Sequence, residues 1–173
     1  FDSVDWQSTC TAIKSLPTQN YWFVTKHVFR MLPLGMRLRQ RTSHMPSNCP
    51  SYNDPSKDNW HWITCPARAD WHTKQSQAFS SFLVSLRTHL GLTHILLHAF
   101  KLVLASGTCN FPNSTFSPDK QAVVDSQSQI GWSHILFGRL STAWSALQKV
   151  HITTEEIDEK KYSATRWTAK VHK

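Results

Sequence analysis

Cys49, His61 and Cys65 are the residues of this 173-residue chain whose types and spacing point most directly to chemistry. The segment reads Cys-x2-Tyr-x8-His-x3-Cys, from Cys49 through Tyr52 and His61 to Cys65. A zinc knuckle places two cysteines in one tight turn and a His-x3-Cys pair after a short loop. Zinc favours that arrangement because both pairs of soft or borderline donors can converge on one tetrahedral ion. His61 and Cys65 are four residues apart, so on a helix they face the same way. Tyr52 stands where the second thiolate would be. The segment 44–66 is thus a knuckle with three of its four ligands, and His44, Asp54 and Asp58 are the nearby candidates for a fourth.

The elements that must hold this segment are helical. Asp2-Ser3-Val4-Asp5 is a helix start, and Pro17 ends the segment that carries Trp6, Cys10 and Ile13 at helical spacing. Cys10 on that stripe is expected to be a buried small hydrophobe. Thr18 is expected to cap a second helix over 19–32, with Tyr21, Val24, Val28 and Leu32 on one stripe and Trp22 and Phe29 widening it. After the knuckle a long helix is expected over 69–90. Trp71, Ala78, Phe79, Phe82, Leu83, Leu86 and Leu90 would line its face, and Gly91 would close it. Thr93 is expected to cap a helix running to about residue 105, before Gly107. His94 and His98 share a metal-pair spacing there, but read better as polar residues beside a core stripe. Ser117-Pro118-Asp119 opens a short helix through Val124. Trp132 to Leu147 gives another stripe, with a break at Gly138. Thr154, Glu155 and Glu156 are expected to open a last charged helix. No period-2 strand stands out. The fold class is therefore all-α: an irregular bundle of about six to eight helices, in a single domain over 1–173, with the knuckle after the second helix.

Composition narrows the function. A hydrophobic content of 40% and eight tryptophans argue against disorder. The longest apolar run is too short to cross a membrane, and no leader peptide is visible, so no membrane partner is expected. The four cysteines do not form a disulfide framework, which favours a reducing, intracellular home in cytoplasm or nucleus. The first residue is not methionine, so the sequence reads as a piece of a longer chain. Net charge is +8. No acidic residue falls between Asp5 and Asp54, whereas Lys14, Lys26, Arg30, Arg37, Arg39 and Arg41 do. Arg37, Arg39 and Arg41 alternate, so in an extended segment they form a comb able to track phosphates. Lys26, Arg30, Arg37, Arg39 and Arg41 are therefore the candidate nucleic-acid-binding residues. The same cations would also serve as a solvated surface. A three-ligand zinc with an open position is a catalytic format, with Asp54 and Asp58 the only nearby carboxylates for a base. No Ser/His/Asp or Cys/His order stands out, however, and there is no phosphate-binding glycine loop, so no catalytic residue is assigned.

Several stretches together resemble the C-terminal region of reverse transcriptases of non-LTR-type retroelements, closest to the diatom and algal branch. They are Val4-Asp5-Trp6, Val24-Thr25-Lys26, the Cys49–Cys65 knuckle, and the block from Gln127 to Trp144 with Gly131, Trp132, Gly138, Leu140, Ser141 and Trp144. In that family an all-helical tail with a zinc knuckle follows a polymerase and an RNase H-like domain. The resemblance implies a non-catalytic, nucleic-acid-binding accessory region with Zn2+ as cofactor and upstream domains of a polyprotein as partners. Tyr52 departs from the family's second cysteine, as a degenerate copy would. The alternative is a structural helical protein–protein interaction domain with a relic, metal-free knuckle.

Overall fold

Side-chain caps start two of the helices, at Asp5 and His89, and left-handed residues follow several helix ends. The structure is a computed structural model; it describes residues 3–28, 41, 42, 44, 48, 49, 51, 61–111, 116–158 and 162–171. Among these residues there are eight α-helices and two 3-10 segments, and no β-strand. The all-α bundle with a knuckle region after its second helix is as the sequence implied.

Helix α1 spans Trp6–Lys14. Asp5 caps it, its carboxylate accepting from the Ser8 amide at 3.0 Å and the Ser8 hydroxyl at 2.8 Å. Its buried residues are Ser8, Thr9 and Ala12, while Cys10 and Trp6 are exposed. The expected stripe of Trp6, Cys10 and Ile13 is thus corrected. The helix turns its small residues inward because it lies close against the last helix. Helix α2, Thr18–Val28, packs on α1. It begins at Thr18 itself, with Asn20 and Tyr21 donating to the Pro17 carbonyl. Residues 29–40 lie outside the described set, and with them the expected C-terminal part of this helix.

The four-residue α3, His61–Thr64, is followed by a 3-10 segment, Pro66–Arg68, and by α4, Ala69–Ser85. Helix α4 stops five residues before the expected end. Arg87 takes the left-handed conformation at φ 54°, and Thr88 N–H donates to the Leu83 carbonyl at 3.2 Å. That is a Schellman-type stop made without glycine. Leu83 and Leu86 are buried, whereas Trp71, Phe82 and Leu90 are exposed.

Gly91 therefore lies inside α5, Leu90–Ser106, and does not close α4. A Cβ there would meet the flexible end of the Lys120 side chain. His89, not Thr93, caps α5, with Nδ1 accepting from the Gly91 amide at 3.0 Å. Gly107, at φ 77°, ends the helix as expected. Leu92, Ile95, Leu96, Ala99 and Val103 of α5 form the centre of the core.

Helix α6, Pro118–Ile130, is a turn and a half longer than the sequence implied. Gly131 at φ 100° ends it, a 3-10 segment Trp132–Phe137 follows, and Gly138 at φ 64° ends that in turn. The chain then straightens, and Ser141 pairs with Val4 in an isolated antiparallel bridge. Helix α7, Thr142–Thr154, stops at Thr154, the residue expected to start the last helix. Glu156 takes φ 50°, and Ile157 N–H donates to the Ile152 carbonyl at 3.0 Å. The acidic cluster is therefore a helix exit, and α8 runs over Ala164–Val171. Helix α8 packs on α1 and α7.

Two wholly buried glutamines bind these parts together. Gln127 Oε1 accepts from the Ser141 amide at 3.1 Å and from the Trp144 indole at 2.9 Å. Its Nε2 donates to the carbonyls of Arg139, at 3.2 Å, and Gly131, at 3.4 Å. Gln148 accepts from the His89 amide and donates to the Arg87 carbonyl, both at 3.0 Å.

Replacing Gln127 with leucine leaves the Trp144 and Ser141 donors buried without an acceptor, at a cost of about 2–4 kcal/mol. Urea unfolding of Gln127→Leu, followed by far-UV circular dichroism, is expected to show that loss. His89 generates a pH prediction. Burial, then the neighbouring His151 and Lys120, hold its pKa below the ordinary histidine value, against an opposing pull from Glu155. The neutral ring is also the form that accepts from Gly91. The unfolded chain therefore binds the proton first, so stability is full above about pH 6.5 and falls as the pH drops through the lowered folded value. His89→Asn keeps a capping side chain without a titration. Its urea midpoint is expected to fall less than the wild type's between pH 7.5 and pH 5.

Candidate metal centre

The sequence places Cys49 far from its partners, and the fold brings it to them. His61 opens α3 and Cys65 follows its last residue, so the two lie about one turn apart. The short helix is held from two sides. Ile63 is buried, α3 packs on α5, and the His72 Nε2–H donates to the Ile63 carbonyl. His72 sits on α4, so the first turn of that helix fixes the backbone between the two ligands.

Cys49, His61 and Cys65 are all buried, and their ligand atoms lie within 4.8 Å of one another. The two Sγ atoms are 3.8 Å apart. A tetrahedral ion with metal–sulfur bonds of about 2.3 Å requires an S···S edge of about 3.8 Å. A disulfide would need about 2.05 Å, and all four cysteines are free thiols. The donor set of two sulfurs and one imidazole, at this spacing, fits a metal ion. It could hold one with the chemistry of Zn2+ or another ion that accepts thiolate and imidazole.

The remaining sequence candidates are placed as follows. His44 is exposed and is not in the group. Tyr52, Asp54 and Asp58 lie outside the described residues, as do Trp60 and the side chain of Trp62. Lys26 and Arg41 are exposed, while Arg30, Arg37 and Arg39 lie outside the described residues. His94 and His98 are exposed on α5, and no third donor joins them among the described residues. Cys109 is buried, which pushes its thiol up to about 11 and makes it a poor nucleophile. An open groove of about 450 Å³ between α4 and α5 is lined by His72, Ser76, Ser80 and Lys101, with no carboxylate. The sequence reading missed His72, whose role depends on where α4 folds back; its spacing from Cys65 carries no signal.

Comparison with protein-family models, with curated proteins and with solved structures finds no match.

Titration with Co2+ in the presence of a reductant tests the site. Binding is expected to give thiolate-to-metal charge-transfer absorption that is lost in Cys49→Ser and in Cys65→Ser. It is expected to persist unchanged in Cys10→Ser, because Cys10 is exposed outside the group.

Proposed function

We propose that the chain is a non-catalytic, nucleic-acid-binding accessory region of a retroelement reverse transcriptase, with Zn2+ bound by Cys49, His61 and Cys65. The observation that carries this reading is the convergence of Cys49 on the His61–Cys65 turn, at the spacing a tetrahedral ion needs. It is the part of the resemblance that has a physical consequence of its own. The tetrahedron has one more position, which His44, Asp54, Asp58 or water would fill. The ion would tie the two ends of the 49–65 segment together and so shape the loop between them.

Charge supports an anionic partner. Net charge is +8, and the acid-free span between Asp5 and Asp54 holds six of the chain's cations. Lys26 and Arg41 are exposed there, as a phosphate contact requires. Arg30, Arg37 and Arg39 complete the proposed basic track. The upstream domains of a longer polyprotein are the natural protein neighbours, and a reducing cytoplasm or nucleus would keep the thiols available.

A second reading is a structural helical domain that binds protein and carries a metal-free knuckle. What favours it is the core, which closes around Leu83, Leu92, Leu96, Trp132, Trp144 and Trp167 without any of the three donors.

Binding to labelled RNA and DNA across a salt series separates the two. On the first reading, zinc analysis gives about one ion per chain, and log affinity falls linearly with log salt. Lys26→Ala and Arg41→Ala each reduce that slope by about 1. Salt-insensitive binding, or no zinc in a protein that melts cooperatively, favours the second reading.

A further inference from the structure

Helix α2 carries exposed aromatic surface. Trp22 is 59% exposed and Phe23 51%, with Tyr21 also on the exposed side. Aromatic side chains ordinarily bury most of their area, and a contiguous exposed group marks an interaction site. The Tyr21 and Trp22 rings meet edge to face, with centroids 5.5 Å apart and planes at 81°. Of the two rings, Trp22 keeps more than half of its surface open to a flat partner. Lys26 lies four residues beyond Trp22, on the same face of the helix, and is exposed. Lys14, the last residue of the neighbouring α1, is exposed as well. Helix α2 has no acidic residue, and none precedes it in sequence after Asp5.

An indole with a lysine one helical turn away matches the two chemistries of a nucleotide in a single strand. The base offers an unpaired π-face, and the adjoining phosphate offers a negative charge. A duplex hides its base faces in the stack and would engage only the lysines. The centre of a protein interface tends instead to exclude lysine. We infer that the Tyr21–Trp22 face of α2 is a stacking platform for single-stranded nucleic acid, with Lys26 holding the phosphate beside the stacked base. This rests on the proposed nucleic-acid function and adds the strand form and the surface that reads it.

The test compares binding of a fluorescein-labelled twelve-nucleotide oligo(dU) and a twelve-base-pair DNA duplex, at low salt, by anisotropy. Trp22→Ala is expected to weaken single-strand binding about tenfold, within the range seen for loss of one stacked base. Duplex binding is expected to change less than about twofold, since phosphate contacts carry it. Trp22→Phe, which keeps a ring, is expected to recover most of the single-strand affinity. Because Trp22 is exposed, the variants should melt with the wild type, and a thermal scan checks this. Equal weakening on both ligands, or no change on either, would overturn the platform and leave the nucleic-acid function standing. No binding to either ligand by the wild type would overturn both. If the wild type instead bound vesicles of phosphatidylserine and phosphatidylcholine and lost this in Trp22→Ala, the surface would be a membrane contact and the platform would be wrong.

Discussion

The amide of Gln127 is the interaction on which the arrangement of the chain most depends. It is wholly buried, and both of its ends are committed. Through Ser141 it fixes the extended step before α7; through Trp144 it fixes the first turn of that helix; through Arg139 it fixes the turn after the 3-10 segment. The same Ser141 then pairs with Val4, and Thr142 donates to the Ser3 carbonyl at 2.9 Å. Asp5 N–H donates to Leu140 and Thr9 to Gly138, so the start of α1 is read off the backbone that Gln127 holds. Helix α2 rests on α1. A single satisfied side chain is thus connected, link by link, to the N-terminal helices 100 residues away in sequence. The Gln127 amide is a strong link because both of its ends are paired in a low-dielectric interior; half of that pairing would be worse than none.

The metal group stands apart from this network. Its three donors belong to no part of the apolar core, and its support comes from Ile63, from α5 and from the His72 clamp. An ion there would act on the 49–65 loop by closing its ends, an entropic effect on that loop, more than on the bundle. Fold stability and loop order are therefore separable properties of this chain.

The readable features of the sequence were those whose chemistry is local. The helix start within Asp2–Asp5, the stop at Pro17, the opening at Pro118 and the breaks at Gly107 and Gly138 each depend on a residue's own side chain or backbone freedom. The errors came where a residue did what its type disfavours. Arg87 and Glu156 both take the left-handed conformation, which moved two helix ends by several residues. At Arg87 the cost of about 1 kcal/mol or more is offset by a tertiary bond, Gln148 donating to its carbonyl. Nothing in a single sequence marks such a site. Cys10 was misplaced for a related reason: α1 lies so close to α8 that small residues face inward, and apolar spacing then points the wrong way. The metal triad was legible from spacing alone, because ligand geometry is itself a spacing rule. The clamp from His72 was not, since it depends on how α4 folds back over the turn.

The tryptophans show the same division in physical terms. Trp132, Trp144 and Trp167 are buried, and each indole N–H has a partner: Ser128 at 3.0 Å, Gln127 at 2.9 Å and Thr88 at 2.8 Å. Burying an indole is favourable when its one donor is satisfied, and each of these three serves as a pin between elements. Trp22 makes no such bond in the fold and keeps most of its surface in water beside an exposed lysine. The other exposed indoles among the described residues, Trp6 and Trp71, each have an arginine over the ring, Arg139 and Arg68 at 5.8 Å, so outward-facing tryptophan is matched with a cation on both sides of Asp54.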